Sequence, residues 1–234
     1  DAAAKATAAA ALSTLARNTD DKVAIVAAGG IVSLVELTRS GTAGAKGRAA
    51  AALRNLAVND ETRMAIEAAG GIAPLIELTH SSVTDMAPET AAGALAELAK
   101  NIATGEAIVA QGGILPLVEL TRSGTHIARQ EAASALAELT VNGAHCASLV
   151  ATRGISPLIE LMRPGLRRGT VIAKAKAARA LANLAIRNHG VAIVVAGGIV
   201  PLVELMRSAA SDTVSEGARD VMEHAAVALR NLAI

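Results

Sequence analysis

The chain has 234 residues, 52% of them hydrophobic and none aromatic, with 22 basic against 21 acidic side chains. A formal net charge of +1 lacks the basic excess that a general nucleic-acid binder needs to neutralise phosphates, and it gives no reason to expect attraction to an anionic membrane. No run of about 18 apolar residues is free of charge and glycine, so no transmembrane helix is expected.

The first element is an alanine-rich helix over 1–17 that ends on LSTL (12–15). After it, one pattern returns along the whole chain. AGGI (28–31), AGGI (69–72), QGGI (111–114), TRGI (152–155) and AGGI (196–199) place Ile31, Ile72, Ile114, Ile155 and Ile199 at spacings of 41, 42, 41 and 44. A second marker follows each: LRNL (53–56), LAEL (95–98), LAEL (136–139), LANL (181–184) and LRNL (229–232). Two independent markers on one period define an internal repeat. The units run 18–59, 60–101, 102–142, 143–187 and 188–234, and 1–234 is expected to be one array.

Within each unit the residues read as three helices. The first is short, as in DKVAIVAA (21–28) and ETRMAIEAA (61–69), with Asp20 and Asp60 placed to cap it. It stops at the glycines. The second of these, at 30, 71, 113, 154 and 198, is present in every copy, so it is expected to take the left-handed conformation of a helix C-cap. Pro74, Pro116, Pro157 and Pro201, with Ser33 in the first copy, then open a second helix at a position where proline costs no hydrogen bond. Glu36, Glu77, Glu119, Glu160 and Glu204 stand three residues before Arg39, His80, Arg122, Arg163 and Arg207, which suits solvated i,i+3 pairs. A loop such as RSGT (39–42) leads to a long third helix such as AKGRAAAALRNLAV (45–58), whose apolar positions recur at helical spacing. Two loops are longer, and one of them carries a basic cluster of Arg163, Arg167, Arg168, Lys174 and Lys176.

No chemistry of catalysis emerges. The five histidines make no H-E-x-x-H and no zinc-ligand spacing, and neither G-x-S-x-G nor a phosphate loop is present. His145 and Cys146 are adjacent on a helix and point about 100° apart, so they form no dyad by themselves. No enzyme, cofactor or metal is expected. The single Cys146 allows no intramolecular disulfide and fits a reducing compartment, so the expected location is intracellular, cytoplasmic or nuclear.

The period of about 42, the three helices, G-G-I-x-P-L-V-E-L and A-L-x-N-L-A together resemble the armadillo-repeat family over essentially the whole chain. The version is similar to plant and protist arrays or to a consensus or ancestral design. The resemblance implies an all-α fold, a right-handed α-solenoid of three-helix repeats whose third helices line a concave groove that holds an extended peptide. In such relatives the Asn of the third-helix motif holds the peptide backbone and a Trp four residues earlier stacks on its side chains. The Asn position here holds Thr14, Asn55, Glu97, Glu138, Asn183 and Asn231, and the Trp position holds Ala10, Ala51, Gly93, Ser134, Arg179 and Val227.

The candidate ladder is therefore Asn55, Asn183 and Asn231, with Glu97 and Glu138 in the middle copies and Arg48, Arg54, Arg179 and Arg230 toward the flanks. It suits a protein or peptide partner that is basic at its centre and acidic outside. A Trp-walled pocket for a basic import signal is absent. Two other readings stay open: self-association by end-to-end stacking, since AVALRNLAI (226–234) carries no polar cap, and an engineered or reconstructed scaffold without an evolved ligand.

Overall fold

The computed structural model describes residues 2–80, 86–163, 170–210 and 216–232. Every element among them is a helix. Helix α1 (Ala2–Leu15) precedes five helix triplets. These are α2 (Thr19–Ala27), α3 (Gly30–Ser40) and α4 (Ala43–Leu56); α5 (Asp60–Ala68), α6 (Ile72–Thr79) and α7 (Ala87–Leu98); α8 (Ile102–Ala110), α9 (Ile114–Ser123) and α10 (His126–Leu139); α11 (Gly143–Ala151), α12 (Ile155–Met162) and α13 (Val171–Ile186); and α14 (Gly190–Val195), α15 (Ile199–Ala210) and α16 (Glu216–Leu232). No single described helix is long and apolar enough to cross a membrane.

The chain divides into two compact units, Asp1–Pro116 and Leu117–Ile234. In the first, third helices α1, α4 and α7 pack in succession, with second helices α3 and α6 behind them. In the second, α10, α13 and α16 pack in succession, with α12 and α15 behind them.

The cores are built of Ala, Leu and Ile. On α4, Ala45, Ala49, Ala50, Ala52, Leu53 and Leu56 are all 0% exposed. Alanine supplies helix propensity and lets backbones approach, while each buried Leu contributes about 1.5–3 kcal/mol of apolar burial. Both leucines of each interior marker are buried: Leu95 and Leu98, Leu136 and Leu139, Leu181 and Leu184.

The first helices α2, α5, α8 and α11 are capped by asparagine, not by the expected aspartates, and α14 has His189 at that place with no side-chain cap. The side chains of Asn18, Asn59, Asn101 and Asn142 accept from the backbone N–H of Asp20, Thr62, Thr104 and Ala144. Asp20 and Asp60 sit just beyond the cap, in the first turn, where a carboxylate still favours the positive end of the helix dipole. The third helices α4, α10 and α13 are capped by Thr42, Thr125 and Thr170.

The glycine pair also divides its labour differently from the expectation. The first glycine is left-handed, with φ of 72° at Gly29, 71° at Gly70, 78° at Gly112 and 77° at Gly197, and Arg153 takes the same role at 56°. The second glycine turns its N–H back onto the carbonyl five residues earlier, as Gly113 does to Ile108 at 2.9 Å. That bond draws its Cα against the helix it has just left. A Cβ at Gly113 would stand 2.7 Å from Ile108 Cγ2, and one at Gly30 would stand 2.5 Å from Ile25 Cγ2. Crowding, not backbone hand, makes the second glycine invariant across the repeats.

Candidate functional site

The marker leucines point each third helix inward, which fixes the face on the other side. Residues five and two before the first Leu, and two after it, fall on that face. In the first unit these are Arg48, Ala51 and Asn55 on α4 and Thr90, Gly93 and Glu97 on α7. In the second they are Glu131, Ser134 and Glu138 on α10, Lys176, Arg179 and Asn183 on α13, and His224, Val227 and Asn231 on α16.

Two of the three asparagines make the same contact. Asn55 Nδ2 donates to Ser13 O of α1 at 3.2 Å, and Asn183 Nδ2 donates to Ala137 O of α10 at 3.3 Å. Ser13 and Ala137 each follow the first Leu of their marker, so both amides tie a third helix to the same place on its predecessor. Asn183 adds a bond to Thr140 Oγ1 at 3.2 Å. Asn231 instead donates to Val227 O of its own helix at 2.7 Å.

The charges are not laid out as expected. Glu138 and Arg179 are not a separate central carboxylate and flanking guanidinium. They form one bidentate pair between α10 and α13, with N–O distances of 2.7 and 2.9 Å. Glu97 is held by Lys100, just past the end of its helix, at 2.7 and 2.8 Å. The Arg54 guanidinium lies so close to Gly93 that a Cβ there would be 2.8 Å from it, so the missing side chain at 93 is what admits the arginine. Arg48 and Arg230 are exposed. Of the basic loop cluster, Lys174 and Lys176 belong to helix α13, Arg163 pairs with Glu160 at 3.2 Å, and Arg167 and Arg168 lie outside the described residues.

Solved structures of the same arrangement are numerous. An engineered protein is 33% identical with a TM-score of 0.87, covering 100% of this chain and 92% of that one. A designed armadillo repeat protein matches at 24% identity and a TM-score of 0.85, covering 97% and 92%. The chain has the fold of the designed armadillo repeat proteins. Its fold class is an α-solenoid of three-helix armadillo repeats. A further designed armadillo repeat protein, solved in complex with the peptide (KR)4, has a TM-score of 0.79 at 22% identity, covering 97% and 92%. No protein-family model and no curated protein matches the sequence.

The armadillo register explains the other polar groups. Arg39 and Arg122, expected as solvated partners of Glu36 and Glu119, reach the next repeat. Arg39 Nη2 donates to Gly70 O at 2.9 Å and Arg122 Nη2 to Arg153 O at 3.3 Å. Arg39 keeps a loose contact with Glu36 at 3.7 Å. His145 is buried, with Nδ1 3.0 Å from Leu139 O, the contact that Thr104 Oγ1 makes to Leu98 O one repeat earlier. The neighbouring Cys146 thiol donates to Thr140 O, and burial pushes its pKa up against the pull of Arg187. A thiol held protonated is a poor nucleophile. Among the described residues no three His, Cys, Asp or Glu side chains gather to hold a metal ion.

Two residues of this face escape the sequence reading. The pattern puts Lys176 in a loop and gives His224 no role, yet both stand in the same helical row as Arg48. Counting five residues back from each marker Leu finds them.

Proposed function

We propose that the chain is a non-catalytic scaffold that binds an extended peptide or partner segment along the face of its third helices, with the repeats 18–59, 60–101, 102–142, 143–187 and 188–234 acting as one array. What supports this most is the build of that face. Half-buried polar side chains, among them Asn55, Glu97, Glu138, Arg179 and Asn183, stand on helices whose other side is fully packed Ala and Leu. Such a face is rigid and ordered before a ligand arrives, which lowers the entropic cost of binding. The peptide-bound designed relative makes the same class of partner reasonable here. The ladder still offers hydrogen bonds: Asn55 uses one amide proton on Ser13 and keeps its Oδ1 and a second proton.

A peptide array probed with the purified chain tests this. Binders should appear, and Asn55→Ala or Glu97→Lys should weaken them. Binders indifferent to both changes would place the site elsewhere. The 33% identity to an engineered protein over the whole chain favours a second reading, a scaffold without an evolved ligand, for which the array returns nothing above background. Self-association has its own support in exposed apolar side chains of the fifth repeat: Val191 is 77% exposed, Val195 81% and Val200 64%.

A further inference from the structure

We propose that the second unit, where α13 packs on α16, seats a carboxylate side chain of an acidic partner segment between Lys176, Arg179 and His224. This rests on the peptide-binding reading above and adds the charge of the ligand.

Three observations carry it. First, Lys176 and Arg179 stand one turn apart on α13, His224 holds the Lys176 position on α16, which packs against α13, and all three are half-buried. Half-buried charges are screened less by salt than exposed ones, so they hold an anion better. Second, among the described residues neither Lys176 nor His224 has a hydrogen bond or ion pair of its own, and Arg179 spends two donors of its five on Glu138. Third, the carboxylates that would receive a basic ligand are occupied, Glu138 by Arg179 and Glu97 by Lys100. A basic segment would have to break those pairs, whereas an acidic one meets cationic donors still available.

The site is linked to pH. Burial first, then the Arg179 charge, push the His224 imidazole below its ordinary value of 6.5. Lys176 adds to this, while Glu223 and Asp220 of its own helix oppose it without cancelling it. Helix α14 carries no charged residue, and Glu204 and Arg207 of α15 do not contribute. A ligand carboxylate beside the ring stabilises its protonated form, so binding takes up a proton and tightens as pH falls.

The test uses the full chain and three fluorescein-labelled peptides, (Glu-Ser)5, (Gln-Ser)5 and (Lys-Arg)4, titrated by fluorescence anisotropy. At pH 7.5 (Glu-Ser)5 should bind about tenfold more tightly than either of the others, and more tightly still at pH 5.5. Lys176→Glu should weaken it about tenfold, and Lys22→Ala, on α2, should not. His224→Gln should remove the gain at pH 5.5. Circular dichroism melts confirm that each variant is folded. If (Lys-Arg)4 binds best, or Lys176→Glu leaves (Glu-Ser)5 unaffected, the acidic assignment falls and the peptide-binding reading stands. If none of the three peptides and no peptide on the array binds, both fall.

Discussion

At the scale of single residues, the glycine pair shows how one dipeptide can serve two physical needs. Gly112 is left-handed at φ 78°, and a Cβ placed there would have nothing within 4 Å, so Gly112→Ala meets only backbone strain of about 1–2 kcal/mol. Gly113→Ala meets Ile108 Cγ2 at 2.7 Å and the Ile108 carbonyl at 2.9 Å, and should cost more. Urea midpoints of the two variants would rank them, and the reverse order would refute the division of roles. The same reasoning makes Arg153, at φ 56°, a strained residue. Arg153→Gly should raise stability by up to about 1 kcal/mol, because its bond to Arg122 uses the backbone carbonyl and survives. The sequence displays both glycines but not their jobs: invariance at the second position looks like a demand for φ, and is a demand for space. His224 gives a pH prediction for the unliganded chain. Its folded pKa lies below the unfolded one, so the unfolded chain binds the proton first. The stability it supports is complete above about pH 6.5 and declines as pH falls toward the folded value. Thermal melts across that range should show the decline, and His224→Gln should flatten it.

At the scale of elements, period and markers are enough to place the helices, because helix propensity and apolar spacing are local properties. What is not legible is the pairing between helices. Glu138 and Arg179 lie 41 residues apart, on the Asn row of one repeat and the Trp row of the next, and nothing local says that those rows meet. Their meeting depends on how closely alanine lets α10 and α13 approach. The pair is partly sheltered, with side chains 15% and 27% exposed. Breaking it should cost about 1–3 kcal/mol, and a double-mutant cycle over Glu138→Gln and Arg179→Met should show a coupling of at least about 0.5 kcal/mol. A coupling near zero would reduce the pair to a surface contact. Caps are a second case. Asn18, Asn59, Asn101 and Asn142 recur at 41, 42 and 41 residues, a period as clear as that of the glycines, yet the aspartates beside two of them are the more conspicuous candidates. Asn101→Ala should lower stability by about 1 kcal/mol, read from the urea midpoint.

At the scale of the whole molecule, the repeat fold is legible and the ligand is not. Repeats announce themselves through repetition, but a binding face is defined by where the copies differ. Here the differing positions are largely turned to one another: Arg54 onto Gly93, Arg179 onto Glu138, Asn183 onto Thr140. Self-association is open to a direct check. If the exposed valines of the fifth repeat drive it, light-scattering mass should rise with concentration and Val195→Glu should suppress the rise. A constant monomer mass would remove that reading.

The two asparagine tethers also finish the ends of the helices they reach. Asn55 and Asn183 each reach back to the helix one repeat earlier, and the carbonyls they meet, Ser13 and Ala137, lie on helical backbone. Both carbonyls stand in the last turn of their helix, where no backbone N–H reaches them, so each amide answers an acceptor that the helix ladder leaves open. The dependence is mutual: removing either helix strips a partner from the other. Arg39 and Arg122 do the same in the opposite direction, each covering a carbonyl at the end of a first helix in the next repeat.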